Sequence, residues 1–440
     1  MRPIALIAIL LCGAQPLHGI TLEAALARTL EKNPAIQQAK LELEAASGRR
    51  LVLRATGLPD AIVNTPAGLQ GGHRSGENSV QPFAFARGAF TQPLFHADVP
   101  AAFRRGNLET LIAQQRLNVT VMEQLHIARV AFLTAVYQDS LRAFGEEQRQ
   151  RLVRNAAAQQ ERYVEGQAER GQVMMARVLE EELPPRIEDS RRISNGALLQ
   201  LARTMGAEIG PGAQLPTADG KLQWVSTRVE PQAQAQAALA RRPDLQLARL
   251  LVRASGEDQR IMEAGYYPAL NGVISGDYIP VSDIHRGSEG SARRSDDIIS
   301  SEIRAGAVYT WRVIDNGQVR GAVMRQRAIR EINETVLARL ETNVPRELKR
   351  IANTLNALVA QQRAQERGAS VAEQTVTSVQ SNLEQGLSSQ LEYRSAETSL
   401  LQAKAGLLKS AFDQQIALAE LDRVTGRYFQ FSDETARNVP

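Results

Sequence analysis

The chain has 440 residues, with 52 lysines and arginines against 48 aspartates and glutamates, so its formal net charge is only +4. That small excess does not predict a nucleic-acid partner. The single cysteine, Cys12, excludes an internal disulfide framework and any multi-cysteine metal site. Long tracts of Ala, Leu, Gln, Glu and Arg, which are strong helix formers, predict a largely helical protein.

Residues 1–19 have the pattern of an export signal. The apolar run at residues 4–11 is too short to span a bilayer, and cleavage is expected after Gly19. A buried first strand or helix is the alternative. Cys12 is a candidate lipidation site because it follows the apolar run, although Leu11 stands where a lipoprotein signal has Gly or Ala. Beyond this segment, no stretch approaches the ~18–20 apolar residues of a membrane helix.

The first half of the remaining chain begins with an amphipathic helical stretch at residues 21–56, with a break expected before Pro34. Residues 58–95 are predicted to contain two strands and a polar loop. A very long helical pattern follows at about 99–163. At 1.5 Å per residue, a helix of about 65 residues extends roughly 100 Å. A turn with glycine then leads to a returning helix at about 173–205.

The second half repeats this order. Its predicted elements are a helical stretch at 232–265, two strands within 266–315, a long helix at 317–384 and a returning helix at 389–425. The predicted organisation is a signal peptide at 1–19, a first repeat at 20–207, a linker or equatorial segment at 208–230, a second repeat at 231–426 and a tail at 427–440.

Landmark residues recur at two fixed separations, which indicates a tandem duplication. At a separation of 209 residues, the matching pairs are Asn33-Pro34 with Arg242-Pro243 and Leu58-Pro59 with Tyr267-Pro268. At a separation of 220 residues, they are Gly166 with Gly386, Ala176 with Ala396 and Gly206 with Gly426. The eleven extra residues of the second half are expected in the polar segment 282–301.

The last helix of the chain has coiled-coil spacing. Its apolar residues recur three, four and seven apart, at Leu400, Ala403, Leu407, Ala411, Leu418 and Leu421. Any helical hairpin shows such a pattern, so it does not by itself indicate a function. Pro184, Pro185 and Pro345 lie inside helical segments. Kinks or breaks are expected there, because proline lacks a backbone donor.

Residues 303–313 alternate between an apolar face and a polar face. The apolar face carries Ile303, Ala305, Ala307, Tyr309, Trp311 and Val313, and the polar face carries Arg304, Gly306, Thr310 and Arg312. This alternation is typical of a membrane barrel strand, although a half-buried soluble sheet also shows it. Residues 270–278 alternate similarly. In the first half, Phe83, Phe85 and Phe90 do not hold one face.

Two strands in each half give four per chain, and four strands cannot close a barrel, since even small membrane barrels use eight. An open sheet in lipid would leave backbone groups unpaired, at several kcal/mol each. A membrane location therefore requires several chains to contribute strands to one barrel.

No catalytic, cofactor or metal site is predicted. The five histidines are scattered without ligand spacing. No Gly-rich phosphate loop, nucleophile motif or carboxylate pair stands out. The chain is therefore not expected to be an enzyme.

Three short motifs follow one another along the chain. They are Thr21-Leu22-Glu23-Ala24-Ala25-Leu26 with Asn33-Pro34, then Gly386-Leu387-Ser388-Ser389-Gln390-Leu391-Glu392-Tyr393 with Ala396, and finally Thr425-Gly426. With the duplication, their order and spacing resemble the TolC-type outer-membrane factor (outer membrane efflux protein) family, over nearly all of residues 20–426.

The resemblance implies a mainly α fold with a small β part. Duplicated long helical hairpins would form a coiled-coil tunnel, and four strands per chain would join a shared trimeric membrane β-barrel. The resemblance also implies that the hairpin tips face a periplasmic adaptor protein and an inner-membrane pump. The tip residues concerned are Gly166, Gly171, Gly386, Leu387, Ser388 and Ser389.

The resemblance further implies that Glu392 narrows the tunnel. Three copies would form a charged ring that attracts cations and can gate. Ser395 stands where some members of the family have a second acidic residue. A solvated charge on the surface of the helix is the alternative for Glu392.

The predicted function is the outer-membrane channel of a tripartite efflux or type I secretion system in a Gram-negative bacterium. This would be a passive duct with a long periplasmic part and no cofactor. Its partners would be two further copies of the chain, the adaptor, the pump and outer-membrane lipid. The alternative is a periplasmic coiled-coil adaptor or scaffold whose strands form a soluble sheet. Drugs, metal ions and polypeptides all pass through such ducts, so cargo and pump stay open.

Overall fold

The computed structural model describes residues 19–74, 77–207, 210, 215–227, 229–279 and 300–428. Apart from Gly19, the predicted signal peptide lies outside these residues, together with the lipidation candidate Cys12. Most of the predicted tail also lies outside them. So does most of the polar segment 282–301, to which the sequence assigns the eleven extra residues of the second half.

The helices follow the same order in both halves. In the first half they are α1 Leu22–Lys32, α2 Pro34–Ala55, α3 Val99–Val164, α4 Arg170–Glu181 and α5 Leu183–Thr204. In the second half they are α6 Pro231–Arg241, α7 Pro243–Glu263, α8 Gln318–Glu384 and α9 Gln390–Thr425. The long helices lie within a residue or two of the predicted ranges.

Prolines lie at the start of several helices. The break between α1 and α2 falls at Asn33, whose Oδ1 accepts hydrogen bonds from the backbone N–H groups of Ala35 (2.9 Å) and Ile36 (3.1 Å). Asn33 therefore caps α2, and Pro34 occupies the first helical position, where its missing N–H costs least. In the second half, Arg242 separates α6 from α7, and Pro243 occupies the first position of α7.

The other prolines have different effects. Pro184 and Pro185 lie in the first turn of α5, so the returning helix of the first half is divided in two, as expected. Pro345 lies inside α8, and no break occurs there. Val344 and Leu348 beside it are fully buried. Their packing stabilises the helix against the loss of one hydrogen bond.

The strands are β1 Asp60–Asn64, β2 Ala67–Arg74, β3 Glu77–Ala84, β4 Ala86–Phe95, β5 Ala269–Ile279 and β6 Ser300–Thr310. Each of the two strands predicted within 58–95 is interrupted once, so four short strands are observed there. Only two residues separate β1 from β2, and only Phe85 separates β3 from β4. The Phe85 N–H donates a hydrogen bond to the Pro66 carbonyl at 3.1 Å, which joins the two arms at the interruption.

Four strands form one antiparallel sheet in the order β1-β4-β5-β6, and β2 and β3 pair separately. In the register of the larger sheet, Phe90 lies opposite Ile274, and Ile274 lies opposite Ala305. Leu270 and Tyr309 are likewise opposite each other, on the same face. The alternate face is polar, and there Arg87 Nε lies 2.6 Å from Asp277 Oδ1. The alternation predicted for 270–278 therefore holds in β5, and the one predicted for 303–313 holds as far as Thr310, where β6 ends. In the first half it is incomplete, because Ile62, opposite Ala89, lies on the polar face.

The chain divides into two units. Unit 1 comprises Met1–Lys40, Arg116–Gln246 and Leu340–Pro440, and unit 2 comprises Leu41–Gln115 and Leu247–Arg339. One apolar cluster of unit 1 contains Leu152, Leu179, Leu183, Val376, Leu383, Tyr393, Ala396 and Leu400. These residues belong to α3, α4, α5, α8 and α9, so the cluster joins the two helical hairpins.

Unit 2 combines a small apolar cluster with ion pairs between helices. Leu108, Ile112 and Ala254 are its buried apolar residues. Arg49 Nε lies 2.9 Å from Glu109 Oε2, which links α2 to α3. Arg104 and Arg105 of α3 pair with Glu257 and Asp258 of α7 in the same unit, at 2.9 Å and 2.8 Å.

One helix of the described residues, α3, contains an 18-residue stretch of mean hydropathy 1.3, which is apolar enough to cross a membrane by composition. The expectation that no such stretch exists is therefore wrong. Half of the stretch is buried inside the protein, which is typical of a helix in a protein core.

Candidate functional site: the tips of the helical hairpins

Both hairpin tips reverse the chain at a glycine in the left-handed region. Gly166 has φ 73° and Gly386 has φ 76°. The N–H of Gln167 donates to the carbonyl of Arg162 at 2.7 Å, and the N–H of Leu387 donates to the carbonyl of Asn382 at 2.8 Å. These bonds satisfy carbonyls at the helix ends, in a turn that favours glycine. The paired landmarks of the two repeats therefore occupy equivalent positions.

A capping box begins the helix after the second tip. The N–H of Ser389 donates to Glu392 Oε2 at 2.8 Å, and the N–H of Glu392 donates to Ser389 Oγ at 3.2 Å. In the first hairpin the N–H of Glu169 donates to Gln172 Oε1 at 3.1 Å, at positions 220 residues earlier. Glu392 therefore stabilises the start of α9. Its carboxylate is also exposed.

Glu392 lines a groove between α8 and α9 in unit 1. The groove has a volume of about 620 Å³, and its polar lining includes Thr375, Glu392, Ser395 and Ser399. Arg367 lines it as well. Each chain thus presents one carboxylate, one guanidinium group and several hydroxyl groups along this groove. Copies of such a surface that face one another would form a polar lining for hydrated cargo.

The other predicted tip residues lie around the two turns. Leu387 is 74% exposed, and Gly171 in the first turn of α4 has open space around it among the described residues. The Ser388 N–H donates to the Asn382 carbonyl at 3.3 Å. An exposed leucine on a tight turn is available to a partner. The contact roles of these residues stay predictions.

Sequence reasoning missed a buried carboxylate next to the second tip. Glu397 is 1% exposed, within the apolar cluster of the hairpins. The Tyr393 hydroxyl donates to its Oε1 at 3.0 Å, and Gln148 Nε2 donates to its Oε2 at 3.3 Å. Arg151 Nε lies 3.5 Å from Oε1. The four-residue spacing of Tyr393 and Glu397 was the available signal, since it places both on one face of a helix.

The surroundings of Tyr393 keep its hydroxyl protonated. Burial, then the neighbouring negative charge of Glu397, raise the pKa of this phenol well above its usual value. The hydroxyl therefore stays a hydrogen-bond donor throughout the physiological range. This network links α9 to α3 through polar contacts inside an apolar cluster.

The predicted linker is held against α9 by a glutamine. Gln414 is 2% exposed, and its Oε1 accepts a hydrogen bond from the Val225 N–H at 2.9 Å. Its Nε2 donates to the Val225 carbonyl at 2.6 Å. The side-chain amide thus pairs with the linker as a neighbouring strand would. Gln415 adds one bond to the Gln223 carbonyl at 2.7 Å.

Residues 235–427 match the family model described as outer membrane efflux protein. The second half of the chain is therefore similar to outer membrane efflux proteins. The match spans α6 to α9 and includes the second hairpin tip. No curated protein matches the chain in sequence. In the described residues, no group of three or more His, Cys, Asp or Glu side chains is placed to hold a metal ion.

Solved structures share the fold. The outer membrane protein VceC from Vibrio cholerae is 16% identical with a TM-score of 0.77, over 92% of this chain and 96% of that one. A membrane protein from Pseudomonas aeruginosa is 18% identical with a TM-score of 0.78, over 92% and 90%. The Campylobacter jejuni CmeC outer membrane channel is 13% identical with a TM-score of 0.72, over 95% and 88%.

These matches decide several predictions. The match to outer membrane efflux proteins confirms the predicted family resemblance, the outer-membrane location and the broad role in efflux. The structural matches confirm the fold class. The efflux family is one of transport proteins rather than enzymes.

Proposed function

We propose that three copies of the chain form one passive duct, which carries cargo to the exterior from a periplasmic adaptor and an inner-membrane pump. The observation that carries this proposal is the exposed apolar face of the four-stranded sheet. Ile303 is 81% exposed, Tyr309 61% and Ile274 49%. A soluble sheet would cover such a face, whereas lipid solvates it.

The edges of the sheet favour several copies. In the described residues, the outer strands β1 and β6 each have a partner on one side only. Twelve strands from three chains would pair these edges within one closed barrel. In unit 2, α8 also exposes Met324, Ile332 and Val336 at 63%, 62% and 47%. Their spacing of eight and four residues forms a stripe that a second copy would bury.

A periplasmic adaptor or scaffold is the less favoured function, because it would leave the apolar face of the sheet exposed to water. The duct also gives Glu392 a role. Three copies of the exposed carboxylate, related by threefold symmetry, would form an acidic constriction near the tips. The hairpin tips would face the adaptor and pump.

Conductance across a planar bilayer tests the constriction. We expect the wild-type channel to show low, cation-selective conductance that divalent cations block. Glu392→Gln should weaken both selectivity and block, while the capping box survives, because glutamine also accepts the Ser389 N–H. Glu165→Gln, an exposed glutamate at the first tip, is the matched control and should change neither. Unchanged selectivity and block in Glu392→Gln would contradict the constriction.

A further inference from the structure

A cavity of about 540 Å³ lies between α3, α7 and α8 within unit 2. Its charged lining consists of the arginines Arg104, Arg253, Arg260 and Arg330 and the glutamates Glu257 and Glu263. Four guanidinium groups against two carboxylates give the cavity a positive excess. Arginine presents a planar set of donors that matches the oxygens of phosphate and carboxylate groups.

The two carboxylates are already engaged. Glu257, with a side chain only 12% exposed, lies 2.9 Å from Arg104 Nε and 2.5 Å from Arg260 through its two oxygens. Glu263 Oε1 accepts a hydrogen bond from Gln259 Nε2 at 2.8 Å. Arg253 forms no ion pair with any residue that the structure describes. Its charge is therefore available to a bound anion.

Gly256 leaves room in the cavity. It lies in the interior of α7, where glycine destabilises a helix relative to alanine. Of the described residues, none has an atom within 4 Å of where its Cβ would be, so packing does not require glycine there. Leu108, Leu111 and Val252 line the same cavity and give it an apolar wall.

On two helices, residues that line the cavity lie close in sequence to strands of the sheet. Arg104 follows the end of β4 by nine residues, and Arg260 precedes the start of β5 by nine residues. Exposed aromatic residues lie at the same ends of the strands, namely Phe95, Tyr267, Tyr309 and Trp311. In membrane barrels such aromatic residues lie at the level of the lipid headgroups.

We propose that this cavity binds the phosphate headgroup of an anionic phospholipid. Arg253 would hold the phosphate oxygens. Arg330 would add its terminal nitrogens, because its ion pair with the exposed carboxylate of Glu334 uses Nε, at 2.9 Å. The apolar wall would contact the first part of an acyl chain. Basic pockets beside membrane-spanning segments recognise headgroups through this chemistry. The proposal rests on the insertion of the sheet into the outer membrane.

Native mass spectrometry of the detergent-purified full chain tests the site, with phosphatidylglycerol or zwitterionic phosphatidylcholine added. The wild type should retain phosphatidylglycerol selectively. Arg253→Gln should weaken retention roughly fivefold and Arg253→Gln with Arg330→Gln roughly 25-fold, at about one factor of five per arginine. Gly256→Leu should abolish retention by filling the cavity. Gly48→Leu, at a helical glycine with equally open surroundings, should retain the lipid as the wild type does.

Two outcomes would show that the cavity does not bind a lipid headgroup. Displacement of the lipid by inorganic phosphate at about millimolar concentration would indicate a free-phosphate site and overturn the lipid proposal. Equal lipid retention by the wild type, the arginine variants and Gly256→Leu would also overturn it. Trimer mass and conductance measured on the same samples test the duct separately, so an intact, conducting trimer without lipid selectivity contradicts the lipid site alone.

Discussion

The hydroxyl of Tyr393 donates a hydrogen bond of 3.0 Å to the carboxylate of Glu397, one turn further along α9. Both residues are almost fully buried. Arg151, from α3, places its charge 3.5 Å from the same carboxylate oxygen. The returning helix of the second hairpin is therefore joined to the first hairpin by a buried polar contact close to the tip.

Removing one charge of this contact should be more destabilising than removing both. Glu397→Leu leaves Arg151 with only the exposed carboxylate of Glu147, 3.0 Å from Nη1, and leaves the buried Tyr393 hydroxyl without its acceptor. We therefore expect a loss of about 3 kcal/mol in the free energy of unfolding. Glu397→Leu with Arg151→Met should recover part of that loss, because the charge of Arg151 is removed while the Tyr393 hydroxyl still lacks its acceptor. Urea unfolding followed by circular dichroism measures both. Simple additivity of the two single changes would contradict the contact.

A half-buried histidine, His126, should make stability depend on pH. Burial lowers the pKa of His126, and the carboxylate of Glu420, 3.5 Å from Nε2, offsets this only in part, while Arg423 and Arg129 lower it further. The folded chain therefore binds this proton less readily than the unfolded chain. The stability that comes from keeping His126 neutral is fully present above its ordinary pKa of 6.5 and is lost as the pH falls below that value.

Thermal unfolding between about pH 7.5 and 5 measures this effect, over the range set by the ordinary pKa of histidine. His126→Gln should remove the part of the pH dependence that begins near pH 6.5. The lowered pKa of Glu420, caused mainly by its hydrogen bond from Arg423, acts only below its ordinary value of 4.5. The same slope in the wild type and His126→Gln would show that another group is responsible.

Replacing glycine by alanine should change the stability of the protein in opposite directions at two positions. At Gly386, with φ 76°, a Cβ strains the turn, so we expect Gly386→Ala to destabilise the protein by about 1–2 kcal/mol. Gly196 lies inside α5 in open surroundings, so Gly196→Ala should stabilise by about 0.5–1 kcal/mol through helix propensity. Equal effects would contradict the left-handed turn at the tip.

Gly386→Val tests whether the second hairpin tip is needed for coupling to the pump. The turn depends on backbone freedom at this position, whereas the strands lie elsewhere in the sequence. Coupling to the pump should therefore fall, measured as export in cells, while the amount of trimer stays unchanged. Normal export with failed trimer assembly would contradict the assignment of the tip.

Two neighbouring glutamines should differ in how much they hold the linker. Gln414→Leu leaves the N–H and carbonyl of Val225 without their partners, so we expect a loss of about 2 kcal/mol. Gln415→Leu removes one exposed bond to Gln223 and should cost less than about 1 kcal/mol. Unfolding of the two variants side by side gives the comparison, and equal losses would show that Gln414 does not anchor the linker.

Residues that act through local backbone chemistry were predictable from the sequence. Pro34 and Pro243 begin helices, and Gly166 and Gly386 reverse the chain at their predicted places. Each effect depends on the φ angle or the backbone donor of that residue. The strand alternation at 270–278 was predictable for a similar reason, because side chains of a strand point to alternate faces.

Features that depend on distant neighbours were not predictable. The break expected as one outcome at Pro345 does not occur, because the packing of buried neighbours keeps α8 continuous. Glu397 is buried against Gln148, which lies 249 residues away in the sequence. The cavity around Gly256 requires three helices from both halves. The interruptions in 58–95 arise where the pairing of β1 with β4 changes to the pairing of β2 with β3. Composition does not specify this pairing.

The mass of the full chain extracted in detergent is the most direct test of the duct. We predict a complex of three chains that is recovered from the membrane fraction and only with detergent, because the open edges and the apolar face of the sheet require other copies and lipid. Native mass spectrometry or cross-linking measures the number of chains. A monomer recovered from the soluble fraction without detergent would contradict the account.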